Sequence, residues 1–495
     1  MEKEDVNVRV VKGTGFLFLG AIIGYLTSFF YRIILARGLD PSSYGIFSLV
    51  VTLIGIFTTI FSLGISEALT KFISENTTDK TRTNRIFSTG AIIIFVTALT
   101  AALLMFLLSD FFATTVFNSP LATTPFRIGA LALFFTLANK LYSGVLKGYQ
   151  RMGLVSISNL TEKVSKLAFT LLFFYLNFEL FGAVWAYTIS FFCMSTFLYF
   201  AYKHTTKLKM AKFNPETSKR LLRFGVPLLI SLVASSIFGW TDTFFIGVFR
   251  TSADVGQYNA ALPVVGILAM VAIALGTAMF PAISQINAKK DKEKIASIMN
   301  RSLKYAIYFI LPAATGAILL AENLIILLFT TEYARSILPF KLLGIVAVFI
   351  SLIAILRNFM AGMGKPKKIM QFMLIGTGLN VVLNCILIPF WGLEGAAIAT
   401  IISVATLTGL MFVYSRKLVR IRTKFLYKPV VASAVMAGAI LLIKLLKIPA
   451  KTKIPLMVVF GAIVYFVVLI CLKGFDKRDK ELLRSLFSRK KKAKL

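Results

Sequence analysis

Apolar residues in this chain come in long blocks rather than stripes. From position 13 onward, blocks of about 18 or more mostly hydrophobic residues recur along the sequence, separated by polar segments. A block of that length crosses a bilayer as a helix and satisfies its own backbone hydrogen bonds. About fourteen spans are predicted, at 13–36, 44–66, 87–109, 124–146, 154–176, 180–202, 224–248, 258–283, 305–329, 336–357, 368–390, 393–415, 428–446 and 454–472. The polar start MEKEDVNVRVVK leads straight into the first span and does not read as a cleavable signal. The expectation is an all-α, multi-pass integral membrane protein.

The blocks also repeat. LFGAVWAYTIS (Leu180–Ser190) returns as LEGAAIATIIS (Leu393–Ser403), 213 residues later, with Leu, Gly, Ala, Ala, Ile and Ser kept. Tyr44 and Tyr258 open the second span of each half, and Gly64 and Gly276 stand late in it. Gly148 and Gly362 mark turns followed by basic residues. Nearly the same offset relates every pair. The pattern predicts a first six-helix lobe at 1–205, a basic linker at 206–223 and a second six-helix lobe at 224–420. Two extra spans and a basic tail follow at 421–495. Because six is even, the lobes insert in parallel, as in transporters with parallel repeats.

Charge orients these spans. Lys71, Lys80, Arg82 and Arg85, then Lys147 and Arg151, then the linker, fall in alternate loops; the remaining short loops hold Arg37, Arg250 and Arg335. Basic loops stay in the cytoplasm, which places both termini inside the cytoplasmic membrane. One loop dissents, with Lys444, Lys447, Lys451 and Lys453 on the predicted outer side. The formal net charge of +34 is therefore a topology signal, not a sign of nucleic-acid binding. Cys193, Cys385, Cys471 and His204 have no metal-ligand or disulfide spacing, and no cofactor is expected.

No GxxxxGK[ST] phosphate loop is present, the outer loops carry no paired carboxylates, and no filter-like re-entrant segment stands out. That argues against an ATP-driven pump, a membrane glycosyltransferase and a channel, and no enzyme activity is expected. The informative residues are charges inside spans, which are expensive there unless they pair, snorkel or face water. Tyr25, Ser28 and Arg32 share one face of the first span. Ser231, Ser235 and Asp242 share one face of the seventh, and Asp242 maps through the repeat to position 29, a turn before Arg32. In the fifth span Ser156, Asn159, Lys163, Lys166 and Thr170 form a stripe, with Glu162 four residues before Lys166. Lys140 lies about two turns inside the fourth.

Two readings stand for each. Lys140, Lys163, Lys166 and Arg32 make an electropositive cavity lining, or Arg32 snorkels and Glu162 merely bridges Lys166. Arg32 and Asp242 form a gate between pseudo-equivalent helices, or Asp242 hydrogen-bonds within its own half.

RIILARGLDPSSYGIFSLV, VPLLISLVASSIFGWTDTFFIGVFRTSADVGQYNAA and LNCILIPFWGLEGAAIATIIS resemble the polysaccharide-biosynthesis flippases of the multidrug/oligosaccharidyl-lipid/polysaccharide exporter superfamily. The resemblance covers essentially the whole chain. It implies two six-helix lobes around a V-shaped cavity, with alternating access driven by the first and seventh helices. It also implies translocation of a polyprenyl-(di)phosphate-linked oligosaccharide for cell-surface glycan assembly. Tyr25, Ser28, Arg32, Lys140, Asn159, Lys163 and Lys166 would then contact substrate. The partners would be that lipid-linked glycan, membrane lipids and glycan-assembly enzymes. The alternatives are a multidrug or organic-cation antiporter, which would prefer acidic cavity residues, and a non-transporting accessory subunit of a glycan-assembly complex.

Overall fold

The computed structural model describes residue 24 and residues 27–206, 208–446, 450–475 and 479. Tyr25, the start of the first span, the side chains of Ser231 and Ser235, and the basic tail lie outside the described residues. Among the described residues the chain is helical and contains no strand.

The helices begin where the sequence supplies caps. Asp40 accepts hydrogen bonds from the Ser42 and Ser43 amides, with Pro41 in the first turn, and opens α2 (Pro41–Phe61) after α1 (residues 27–38). α3 (Ile65–Ser74) follows a break at Leu63 and Gly64, both with positive φ. The second span predicted at 44–66 is therefore shorter as a helix. Asp79 caps α4 (Lys80–Leu107). α5 (Thr123–Gly148), α6 (Met152–Tyr175) and α7 (Glu179–Thr206) follow. Asn214 caps α8 (Pro215–Phe249), and a Thr251–Asp254 capping box opens α9 (Ser252–Ala261). Then come α10 (Pro263–Ala288), α11 (Lys292–Leu319), α12 (Ala321–Phe329) and α13 (Ile337–Gly362). α14 (Pro366–Leu418), α15 (Tyr427–Leu445) and α16 (Ala450–Cys471) end the bundle.

Ten helical segments among the described residues are long and apolar enough to cross a membrane. That count takes α14 once, although it runs 53 residues and breaks at Gly392 (φ 58°, ψ −128°), three residues after Pro389. Only glycine adopts that backbone without strain. Arg250 holds the break, donating from Nε to the Ile388 carbonyl at 3.2 Å and from Nη2 to the Pro389 carbonyl at 2.8 Å. α6, which carries Glu162, Lys163 and Lys166, is not among the ten.

Two compact units result, and they interleave along the chain. The first comprises Met1–Pro263, Leu328–Pro339 and Met370–Ser403. Within it α2 crosses α9 with backbone against backbone. A Cβ at Gly45 would strike the Ser252 carbonyl, and one at Gly256 the Pro41 carbonyl. The Ser42 and Ser252 hydroxyls hydrogen-bond at 2.8 Å beside the crossing. Hydroxyls inside α2 return to their own helix: Ser48 donates to Tyr44 O and Thr52 to Ser48 O, each at 2.8 Å. Tyr44 in the first turn of α2 and Tyr258 in the second half of α9 are both buried, and Arg37, 213 residues before Arg250, likewise donates to a distant carbonyl, Leu328 O at 3.0 Å.

The second unit comprises Val264–Leu327, Phe340–Ile369 and Val404–Leu495. α11, α15 and α16 share a core that includes Tyr308, Met436, Met457, Tyr465 and Leu469. Tyr465 donates to Tyr308 O at 2.8 Å, and Tyr308 to Gly474 O at 3.1 Å. A buried ion pair, Lys304 Nζ to Asp479 Oδ2 at 2.5 Å, fastens the segment after α16 to α11. The last two spans are thus part of the unit's core. Two of the dissenting lysines find local work, while Lys447 and the side chain of Lys451 lie outside the described residues. Lys453 Nζ donates to Lys444 O and Leu446 O, capping the end of α15, and Lys444 lies 3.7 Å from Glu322.

Candidate functional site

The most charged stripe of the sequence lies on α6, and in the first unit it meets α1 and α7. Lys166 Nζ pairs with Glu162 Oε1 at 2.5 Å, one turn back on the same helix. The same ammonium stands 4.9 Å from the Tyr31 ring centre and 5.5 Å from that of Tyr187. A cation over two aromatic faces gains electrostatic stabilisation where water is scarce. Both members of the ion pair are largely buried, with side-chain exposures of 15% and 12%. The sequence reading that Glu162 bridges Lys166 therefore describes this arrangement, but the bridge is only part of a larger cluster.

Lys163 lies one turn before Lys166, half-buried. Its Nζ occupies the place a side chain at Gly24 would fill, so the lysine tip rests on the bare backbone of Gly24, ahead of α1. Arg32, also half-buried, lies beside the Tyr44 hydroxyl and within electrostatic reach of Tyr187. The Tyr31 hydroxyl and the Thr170 hydroxyl are neighbours, both buried and neither within hydrogen-bonding geometry of a partner. Three cations, two or three phenol rings and unsatisfied hydroxyls thus converge where α1, α6 and α7 meet.

The other expected residues fall differently. Ser28 donates to Gly24 O at 2.8 Å, which spends its hydroxyl on its own helix. Asn159 is exposed on α6. Lys140 is exposed on α5, and its charged neighbours are Glu67 on α3 and Lys147 rather than the α6 lysines.

Asp242 is not paired with Arg32. Its carboxylate is buried and accepts from Tyr258 Oη at 2.6 Å, Thr400 Oγ1 at 2.7 Å and Asn384 Nδ2 at 2.8 Å. Asn380 donates to Thr400 Oγ1 at 3.1 Å, and Asn384 to Asn380 Oδ1 at 3.2 Å. This network ties α8 and α9 to both legs of α14 within one unit. Asn384 Oδ1 is left without a partner. Of these partners, sequence reading singled out only Tyr258, and as a repeat landmark. The signal available was a pair of asparagines four residues apart in an apolar span, which places both on one face.

The donors available to a ligand are therefore cationic and phenolic in the α1–α6–α7 cluster, and no His/Cys/Asp/Glu group of metal-binding size occurs among the described residues. Ammonium and guanidinium groups recognise phosphate, and aromatic faces suit sugar rings and further cations.

A "Probable low-salt glycan biosynthesis flippase Agl15" of Haloferax volcanii is 25% identical over 454 residues, 91% of this chain and 93% of that protein. A "Putative O-antigen transporter" of Shigella flexneri is 23% identical, covering 74% of this chain and 88% of its own length. Among solved structures, "Lipid II flippase MurJ, inward closed conformation" superposes with a TM-score of 0.75 at 17% identity, over 92% of this chain and 98% of that one. The MatE family matches residues 227–386. The family described as "Polysaccharide biosynthesis protein" matches residues 10–287, more than half of the sequence. This all-α, multi-pass membrane chain therefore belongs to the polysaccharide biosynthesis protein family.

Proposed function

We propose that the protein is a flippase that moves a polyprenyl-(di)phosphate-linked oligosaccharide across the cytoplasmic membrane by alternating access. In this reading the chain spans the membrane fourteen times in two parallel six-helix lobes plus two helices, with both termini cytoplasmic. The observation that carries it is the cluster of Lys163, Lys166 and Arg32 against Tyr31 and Tyr187. A diphosphate crossing the membrane core needs cations in a sheltered, polar place, and the attached sugars need flat faces and hydroxyls. The isoprenoid chain stays in lipid.

Before substrate arrives Lys166 is neutralised by Glu162, which makes Lys163 and Arg32 the charges ready to engage phosphate. Phosphate then competes with Glu162 for Lys166. Lys140, with Glu67 beside it, supplies a second cationic position on α5. The names of the relatives, glycan flippase and O-antigen transporter, support the same substrate class.

The match to the MatE family favours a second reading, export of organic cations. A cation-rich cluster whose carboxylate is already paired repels such substrates. The deciding experiment is transport in proteoliposomes carrying a polyprenyl-diphosphate oligosaccharide. The Lys163→Ala, Lys166→Ala double variant should flip at least tenfold more slowly, since each lost charged contact is worth about 1.5–3 kcal/mol. Undiminished flipping by that variant would sink the proposal.

A further inference from the structure

Away from the α1–α6–α7 cluster, a second polar cavity of about 330 Å3 lies in the first unit, where the α3–α4 turn meets the start of α8. Arg82 and Arg85 reach it from the first two turns of α4, and Arg220 from the second turn of α8. Asp79 and Glu216 are its carboxylates.

Three observations point to a missing anion. First, neither Arg82 nor Arg85 makes an ion pair with any described carboxylate, although two carboxylates line the same cavity. The Asp79 carboxylate is already engaged as the cap of α4, accepting from the Arg82 amide at 2.9 Å. Second, the first turn of α4 holds no acidic residue, while Lys80, Arg82 and Arg85 crowd the end where the helix dipole is positive. Cations are unfavourable at that end, and an anion there reverses the sign of the interaction. α8 also opens its first turn onto the cavity, capped by Asn214, which accepts from the Thr217 amide at 2.7 Å. Third, Arg220 is held ready: its guanidinium lies 4.4 Å from the Phe72 ring centre and 3.7 Å from Glu75.

The walls are ordered by the linker, which hydrogen-bonds along α4. The Lys209 amide donates to Asn84 Oδ1 at 3.0 Å, and the Ala211 amide to Ser88 Oγ at 2.7 Å. We infer that this cavity is a phosphate site, taking a phosphomonoester or phosphodiester between the arginine forks and the two helix N-termini. The shared chemistry fits an anionic lipid headgroup and a small soluble phosphate alike. Its occupant bridges α4 and α8, so binding favours the arrangement in which they are held together. The site is independent of whether the protein flips a glycan.

The test uses the full-length purified protein and two probes. Inorganic phosphate is titrated at constant ionic strength in neutral detergent, and phosphatidic acid is added to nanodiscs of phosphatidylcholine; thermal unfolding reports binding in both. The wild type should be stabilised by at least one probe. The Arg82→Gln, Arg85→Gln double variant should bind it more weakly by roughly tenfold per arginine lost. An Arg151→Gln control removes an exposed charge elsewhere and should respond like the wild type. Stabilisation by inorganic phosphate identifies a soluble ligand, and stabilisation by phosphatidic acid alone identifies a lipid headgroup. A wild type insensitive to both, or a double variant that responds as the wild type does, overturns the inference.

Discussion

Replacing Glu162 by glutamine removes the counter-charge of Lys166 and leaves everything else in place. The pair is at 2.5 Å with both side chains more than four-fifths buried, so little solvent is available to take over. The lost charge-assisted hydrogen bond is worth about 1.5–3 kcal/mol, and stranding a deeply buried lysine costs up to about 3–5 kcal/mol. Against that, the Tyr31 and Tyr187 faces at 4.9 and 5.5 Å still stabilise the ammonium, by about 0.5–2 kcal/mol in total. Taking the stranded charge as the whole penalty, the expected net destabilisation is about 1–4 kcal/mol. Lys166→Met should also destabilise, by leaving Glu162 without its partner, and the double variant should lose less than the sum of the two. A double-mutant cycle by equilibrium unfolding in mixed micelles should return a coupling of about 1–2 kcal/mol. Glu162→Gln should also bind the lipid-linked diphosphate more tightly, since phosphate no longer competes with a carboxylate. Zero coupling, or weaker substrate binding by Glu162→Gln, would refute the charge balance assigned to the cluster.

Gly24→Ala should leave stability within about 1 kcal/mol, because only a flexible lysine tip must move, yet lower flipping severalfold by displacing Lys163; unchanged transport would show that this amine's position is immaterial. Asp242→Ala orphans three donors and should cost on the order of 3–5 kcal/mol, whereas a melting temperature equal to wild type would mean the network at Tyr258, Asn384 and Thr400 is not formed. In a chain lacking Cys193, Cys385 and Cys471, a cysteine at Thr251 should react with an impermeant thiol reagent from outside intact cells, and cysteines at Thr78 or Ser297 should not. Labelling at Thr78 would reverse the proposed orientation.

Much of the helical plan was legible because length and hydropathy dictate it. The end of α2 was not: the backbone turns at Leu63 and Gly64, inside a run that stays apolar. The two spans predicted at 368–390 and 393–415, by contrast, correspond to the two legs of α14, which part at Gly392. In the candidate site, spacing on α6 put Lys166 one turn after Glu162, where the two pair, since neighbours one turn apart share a face. It could not say that Lys166 would lie over Tyr31 and Tyr187, or that Asp242 would find Asn384 and Thr400, 142 and 158 residues away. Such partners are chosen by tertiary packing, which hydropathy does not encode. Nor could it say that the charged neighbours of Lys140 would be Glu67 and Lys147.

The α2–α9 crossing has a mechanical consequence. Most helix contacts are meshed gears, and parting them requires side chains to leave their slots and change rotamer. At Gly45 and Gly256 there are no teeth. Two smooth backbones touch there beside one serine pair at 2.8 Å, so at these two points no side chain has to leave a slot for the helices to part. One added methyl group at this crossing would hold the two backbones apart.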